Sequence, residues 1–359
     1  MSERVFLNYI PRRTYNSLVL LTVVLLCSDD PALHDRTMEA MEYGMRERYS
    51  QAEALMNEII SDYPDEPIPY ILKAALLDLY MSDYEVATRE KEFYDLLKTG
   101  EKKADAVIKS ANSSGDKRRL AWGYFYKGAA IGFKAFRKGR QNPASAVTIA
   151  WDAVDNLALC LQTDSSIYDA YYPLGMYDYA ISELPKSLSW LPFIKDKDTR
   201  KQKGMEELEK AWRQGDYTRN LAQFSLIWVY MDEGRINDAY PLAKDLVGRY
   251  PESRTFRWLL GSCQRRLGKW AEAEETYSEL VYLVLNEQIH RPHNVLMATY
   301  WCAHAKFQVG KYEEALEYAN FTLSLLDEME DTKEHRNMRD KMIKIRTKSE
   351  IKLGRGEGK

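Results

Sequence analysis

"GRINDAYPLAKDLVGRYPESR", Gly234 to Arg254, is followed by "GKWAEAEETYSELV", Gly268 to Val281, and each phrase places an alanine five positions after its glycine. The glycines Gly234 and Gly268, like the alanines Ala239 and Ala273, stand 34 residues apart. The phrase returns as "GKYEEALEYA" from Gly310, 42 residues after Gly268, which is the same period with an insertion of eight. An earlier copy is "RYSQAEALMNEIISDYPDEP", Arg48 to Pro67, where Pro64 follows Ala52 at the interval that separates Pro251 from Ala239. A period near 34 residues is that of a helix–turn–helix unit, which cannot bury its apolar face alone and must stack on copies of itself.

Each recurring residue has a physical task. Gly175, Gly261 and Ala303 are small residues on first helices, where a second helix crosses closely. Gly234, Gly268 and Gly310 end first helices in a turn with positive φ, which glycine adopts without a Cβ clash. Ile236, Trp270 and Tyr312, two positions later, pack back on the pair, while Ala239, Ala273 and Ala315 let the two helices touch. Pro64 and Pro251 stop second helices. This pattern resembles the tetratricopeptide repeat, over three repeats in Asn220 to Asp327 and part of one in Met38 to Pro64. The resemblance implies an all-α chain, a right-handed α-solenoid of such repeats, and a non-catalytic scaffold that binds a peptide or protein segment.

Outside these copies the helical period continues while the phrase fades. "RRLAWGYFYKGAAIGFKAFRKG" reads as a long helix with Gly128 and Gly132 as close-contact points, and "ASAVTIAWDAVDNLALCLQ" as its partner. "SIYDAYYPLGMYDYAIS" and "TRKQKGMEELEKAWRQG" form another pair, separated by the proline-bearing segment 183–198. Lys333 to Leu353 carries Met338, Met342, Ile345 and Ile351 at helical spacing and reads as a capping helix. About six helix pairs are expected, divided as 28–110 (N-terminal helices), 111–219 (divergent pairs), 220–329 (three repeats) and 330–359 (cap and disordered tail).

Residues 1–27 form a separate segment, a signal peptide or membrane anchor. Arg4, Arg12 and Arg13 precede the uncharged run Leu18 to Cys27, which stops at "SDDP". A membrane span needs about 20 apolar residues. A run half that length with a basic flank fits a signal-peptide core. Cys27 stands where a bacterial lipoprotein carries its lipidated cysteine, although Leu26 replaces the small residue a lipobox favours. The expectation is an exported protein, periplasmic or anchored in the cell envelope, with Cys27 as the candidate lipidation site.

The formal charge of −3 argues against a general nucleic-acid binder. No phosphate loop, nucleophile elbow or H-E-x-x-H occurs. The one metal-like cluster is Glu287, His290 and His293, with His304 further on; Pro292 breaks it, so no metal and no cofactor are expected. Cys160, Cys263 and Cys302 lie within apolar helical patterns and pack as small hydrophobes.

In tetratricopeptide arrays first helices line the concave face, so the resemblance implies a groove lined by Tyr172, Met176 and Tyr179, then Phe224, Trp228 and Met231, then Trp258, Arg265 and Arg266, and finally Tyr300, His304 and Phe307. The four-and-three steps within these sets mark one helix face each. Aromatics beside an arginine pair suit a peptide bearing an acidic group. The alternative is a glycan-binding or glycan-active envelope protein using the same aromatics; a glycan-active site would need two facing carboxylates about 5–9.5 Å apart.

Overall fold

The computed structural model describes residues 31–355 apart from 85, 142, 185–195, 217 and 288–290. The apolar N-terminal run with Cys27, most of the loop at 183–198, His290 and residues 356–359 therefore lie outside the described residues. Fifteen α-helices make up the fold, with no strand among the described residues. They fall into two compact units, Met1–Asp232 and Glu233–Lys359. This division differs from the expected one at 219/220, and the boundary expected at 110 falls inside a helix.

The first unit holds α1 (Pro31–Met45), α2 (Tyr49–Asp62), α3 (Ile68–Asp83), α4 (Glu90–Ser114), α5 (Lys117–Gln141), α6 (Pro143–Thr163), α7 (Tyr171–Ser182), α8 (Lys197–Gln214) and α9 (Arg219–Asp232). The second holds α10 (Ile236–Arg249), α11 (Arg254–Arg266), α12 (Trp270–Leu285), α13 (Pro292–Gln308), α14 (Tyr312–Asp327) and α15 (Lys333–Lys352). Within each unit the extensive contacts join helices that are neighbours in sequence, as between α5 and α6, α7 and α8, or α13 and α14.

The repeated phrase does what its chemistry demands. Gly268 and Gly310 sit at φ +70° and +82°, and the next residue closes the turn: the Lys269 N–H donates to the Gln264 carbonyl at 2.9 Å and the Lys311 N–H to the Lys306 carbonyl at 2.9 Å. These bonds consume carbonyls that the end of the helix would leave unsatisfied. Gly234 adopts the same conformation at φ +72°. In the earliest copy the equivalent position, five residues before Ala52, is Glu47, which holds φ +60° while the Arg48 N–H reaches the Tyr43 carbonyl at 2.9 Å. The turn therefore recurs even where glycine does not. Ala52, Ala239, Ala273 and Ala315 are all buried. Second helices stop alike before proline: the N–H of Tyr63 bonds the Ile59 carbonyl, and that of Tyr250 bonds the Leu246 carbonyl.

The small residues locate the tightest crossings. A Cβ added at Gly175 would lie 2.8 Å from the Gly204 carbonyl oxygen, and one at Gly204 would lie 2.7 Å from the Tyr179 nitrogen, so α7 and α8 meet backbone to backbone. At Gly261 the neighbour is instead the Tyr277 ring, 2.8 Å away. Gly128 meets Leu157 in the same manner, whereas Gly132 has nothing nearer than 3.9 Å and is not a contact point. In the first unit a buried ion pair ties α3 to α5, with Arg137 Nη1 donating to Asp78 Oδ1 at 2.6 Å. In α15, Met338, Met342 and Ile345 are buried as a cap requires, but Ile351 is exposed. Among the described residues no helix is long and apolar enough to cross a membrane.

Candidate interaction surface

The residues expected to form one lined groove have different environments in the two units. In the first unit, Tyr172 and Tyr179 of α7 are buried, and the Tyr172 hydroxyl lies 3.3 Å from Ser225 Oγ; Met176 is half-buried. Phe224, Trp228 and Met231 belong to a run of eleven consecutive buried residues, Leu221 to Met231. Helix α9 presents no open face, so five of these six residues are core rather than wall. The four-and-three spacing marks a helix face regardless of what covers that face.

In the second unit, Trp258, Arg265 and Arg266 of α11 are partly exposed, as are His304 and Phe307 of α13, while Tyr300 is buried. Phe307 packs on Tyr312 with ring centroids 5.6 Å apart and belongs to its own turn. Trp258, Arg265, Tyr300 and His304 gather around a residue not singled out in the sequence, Trp301. The Arg265 guanidinium lies over the Trp301 ring at 3.9 Å, and the His304 ring centroid is 5.4 Å from it. Beneath them Tyr277 stacks on Trp301 at 6.4 Å and meets Trp258 edge-on at 6.2 Å. Tyr300 supports His304 from its buried side at 4.7 Å. The signal that could have found Trp301 is its step of three to His304 on the same helix.

The patch is cationic. Burial first, then the positive charges of Lys341 and Arg265, push the His304 imidazole down to about 3. Lys341, on α15, is itself lowered by burial and by Arg265 and Lys344. Burial and like charge, not a carboxylate, set both shifts. Four polar atoms here are fully out of solvent without a hydrogen-bond partner: Trp258 Nε1, Arg265 Nε, the Tyr277 hydroxyl oxygen and His304 Nε2. Each such orphan costs about 1–3 kcal/mol.

Elsewhere, acids and bases are occupied by structural pairings. Buried Lys306 bridges Glu274 at 2.6 Å and Glu314 at 2.5 Å. Glu287 ties Arg254 and, at 3.7 Å, Arg291 across the insertion. His293 and His304 stand three helical turns apart on α13, roughly 16 Å by helical rise, and cannot share an ion. Among the described residues no group of three His, Cys, Asp or Glu could hold a metal. Cys160, Cys263 and Cys302 are buried thiols, their ionisation pushed upward by burial. In the first unit Glu207 is raised to about 7, by burial first, with Lys203 opposing and Asp178 reinforcing the shift.

The tetratricopeptide repeat family model matches residues 224–284. No curated protein matches the chain by sequence. Among solved structures, the chain is similar to PilW, described as a widely conserved type IV pilus biogenesis factor, at 13% identity and TM-score 0.37, covering 86% of this chain and 98% of that one. It is similar to the P58(IPK) TPR domain at 12% identity and TM-score 0.30, covering 89% and 99%. The human IFIT1 dimer with m7Gppp-AAAA matches at 10% identity and TM-score 0.33, covering 99% and 83%.

Proposed function

We propose that this tetratricopeptide-repeat protein is a non-catalytic scaffold of the cell envelope that holds a protein or peptide segment on the second unit, at the patch around Trp301. One observation carries the reading: a half-open cluster of Trp258, Trp301, Arg265 and His304 interrupts an otherwise regular repeat core. Aromatic and arginine side chains so placed are the composition of binding hot spots. The mild negative charge of the whole chain, −3, favours a protein partner over nucleic acid. The envelope location rests on the short apolar run Leu18 to Cys27 and its arginine flank.

The binding surface is tested by placing a photo-crosslinking residue at position 266, next in the chain to Arg265, or at Tyr282, which is 68% exposed on α12. The expected outcome is a discrete cross-linked product from 266 alone. Products from 282 alone, or identical products from both, would remove the patch as the site. The location is tested by a reporter fused after Asp30, active only outside the cytoplasm; activity confined to the cytoplasm contradicts export. Replacing Cys27 with Ser should release the protein from the membrane if that cysteine is lipidated.

A further inference from the structure

Helix α15 closes the second unit with one face and leaves the other open. Met338, Met342, Ile345 and Ser349 are buried, the helix lying against α13 and α14. On the opposite side, at 3.6 residues per turn, runs the line Ile343, Thr347 and Ile351. All three are exposed, the isoleucines at 37% and 46%. Lys344 and Lys348 flank this line on one side and Arg346 on the other. Among the described residues none of these three bases has an ion-pair partner; ion pairs on the helix are made at Arg336 and Arg339, with Asp331 and Asp327.

The charge of this helix is its own. It carries eight Lys and Arg against three Asp and Glu, in a chain whose formal charge is −3. From Lys341 to Lys352 the one acid is Glu350. These features limit what can cover the face. A second copy would set like charges against each other. A soluble polyanion would pair with the bases but leave the isoleucines in water. An anionic bilayer satisfies both: its surface potential attracts the bases, and its headgroup–acyl boundary takes up apolar side chains. The aliphatic stems of Lys and Arg lie along such a boundary while their charged ends stay in the headgroups.

We propose that the outer face of α15 docks on an anionic lipid bilayer. The helix lies in the membrane plane, Ile343 and Ile351 enter the boundary below the headgroups, and Lys344, Arg346 and Lys348 hold phosphate-bearing headgroups on both flanks. The two isoleucines stand eight residues apart, roughly 12 Å by helical rise, so two points of insertion keep the axis parallel to the surface. Docking needs no ligand at Trp301 and stands apart from the reading of that patch.

The experiment places an environment-sensitive fluorescent amino acid at position 347 of the full chain, so that emission reports this face whatever residues 1–27 do. Vesicles of one part phosphatidylglycerol to two parts phosphatidylcholine should shift the emission to the blue, and pure phosphatidylcholine should not. Salt at about 1 M, where the screening length falls to about 3 Å, should reverse the shift. Lys344→Gln with Lys348→Gln should raise the lipid concentration at the midpoint about 30-fold, as two lysines near an anionic surface imply. Ile343→Ser with Ile351→Ser should raise it about tenfold, by the loss of two partial burials. All four positions are exposed, so both variants should keep the wild-type melting temperature, and either decides the matter if the other melts lower. An equal shift with neutral vesicles, or an unchanged midpoint in a folded variant, overturns the docking face. A single-stranded oligonucleotide or polyglutamate that binds more tightly than the vesicles, per anionic group, assigns the face to a soluble polyanion and also overturns it. Neither result touches the scaffold reading at Trp301.

Discussion

Helices α9 and α11 are first helices of successive repeats, and both carry large aromatics at helical spacing, yet they have opposite fates. In α9 every residue from Leu221 to Met231 is buried, and Phe224 and Trp228 pack edge to face at 6.3 Å inside the core. In α11 Phe256 and the residues from Leu259 to Gln264 are buried as well, but Trp258 and Arg265 remain half-open. The residues are of one kind; what differs is how much of each side chain is left open. An aromatic stripe is therefore evidence of a helix face, and does not by itself say whether that face is core or surface.

The sharpest way to break this comparison is to truncate one tryptophan in each helix. Trp228→Ala should cost about 3–5 kcal/mol in denaturant unfolding, the range for emptying a large aromatic site. Trp258→Ala should cost clearly less, because its ring is already part-solvated. Equal losses would mean that α9 and α11 are not different in kind.

A second test concerns the crossings. Gly204→Ala should cost about 1–3 kcal/mol, since its Cβ meets main-chain atoms that cannot move aside. Ala273→Leu in the second unit, at a fully buried crossing, should cost a similar ~1–3 kcal/mol. An unchanged melting temperature for either would show that the helix pair is not closed at that residue.

The two units should also respond oppositely to pH. Glu207 in the first unit is raised to about 7 from an ordinary 4.5, so the folded state binds the extra proton. Its contribution to stability is present below about 4.5 and is lost as pH rises through 7. His304 in the second unit is lowered to about 3 from 6.5, so there the unfolded state binds the extra proton. Its contribution is present above 6.5 and is lost as pH falls toward 3. Thermal melts from pH 4 to 8 should show the wild type losing ground to Glu207→Gln at the alkaline end and to His304→Gln at the acid end. The same slope from both variants would contradict the assignment.

The smallest effect is a gain. Glu47 occupies the left-handed position that Gly234, Gly268 and Gly310 hold in other copies. Glu47→Gly should stabilise the chain by about 0.5–1 kcal/mol, because the Cβ clash removed outweighs the added freedom of the unfolded chain. A loss of stability would mean that the Glu47 side chain contributes more than its backbone costs.

These tests follow the line between what the sequence made legible and what it hid. Turns and crossings were legible because their causes are local: a glycine at positive φ, an alanine five residues later, a proline beyond. Glu47 escaped notice because glutamate carries no sign of the conformation it adopts; only its interval to Ala52 does. Exposure was not legible because it depends on elements distant in sequence. Trp258 and Tyr300 each stand ten residues before their closing glycine, yet Tyr300 is buried on a helix in contact with α12, α14 and α15, and its neighbour Trp301 takes the open position instead. The resemblance to tetratricopeptide repeats located the helices and their turns.

The closed glycine turns have a kinetic consequence. Each is completed by hydrogen bonds that span at most six residues, and each helix rests mainly on the next. Few long loops must close before contacts form, so the relative contact order of either unit is low, and such chains fold fast for their size. A helix pair at a terminus can also detach without dissolving its neighbours, because stability in a stacked array is a sum of nearest-neighbour terms. Amide hydrogen exchange should therefore be quickest in α15 and slow progressively toward α12, tracing unfolding as fraying from an end.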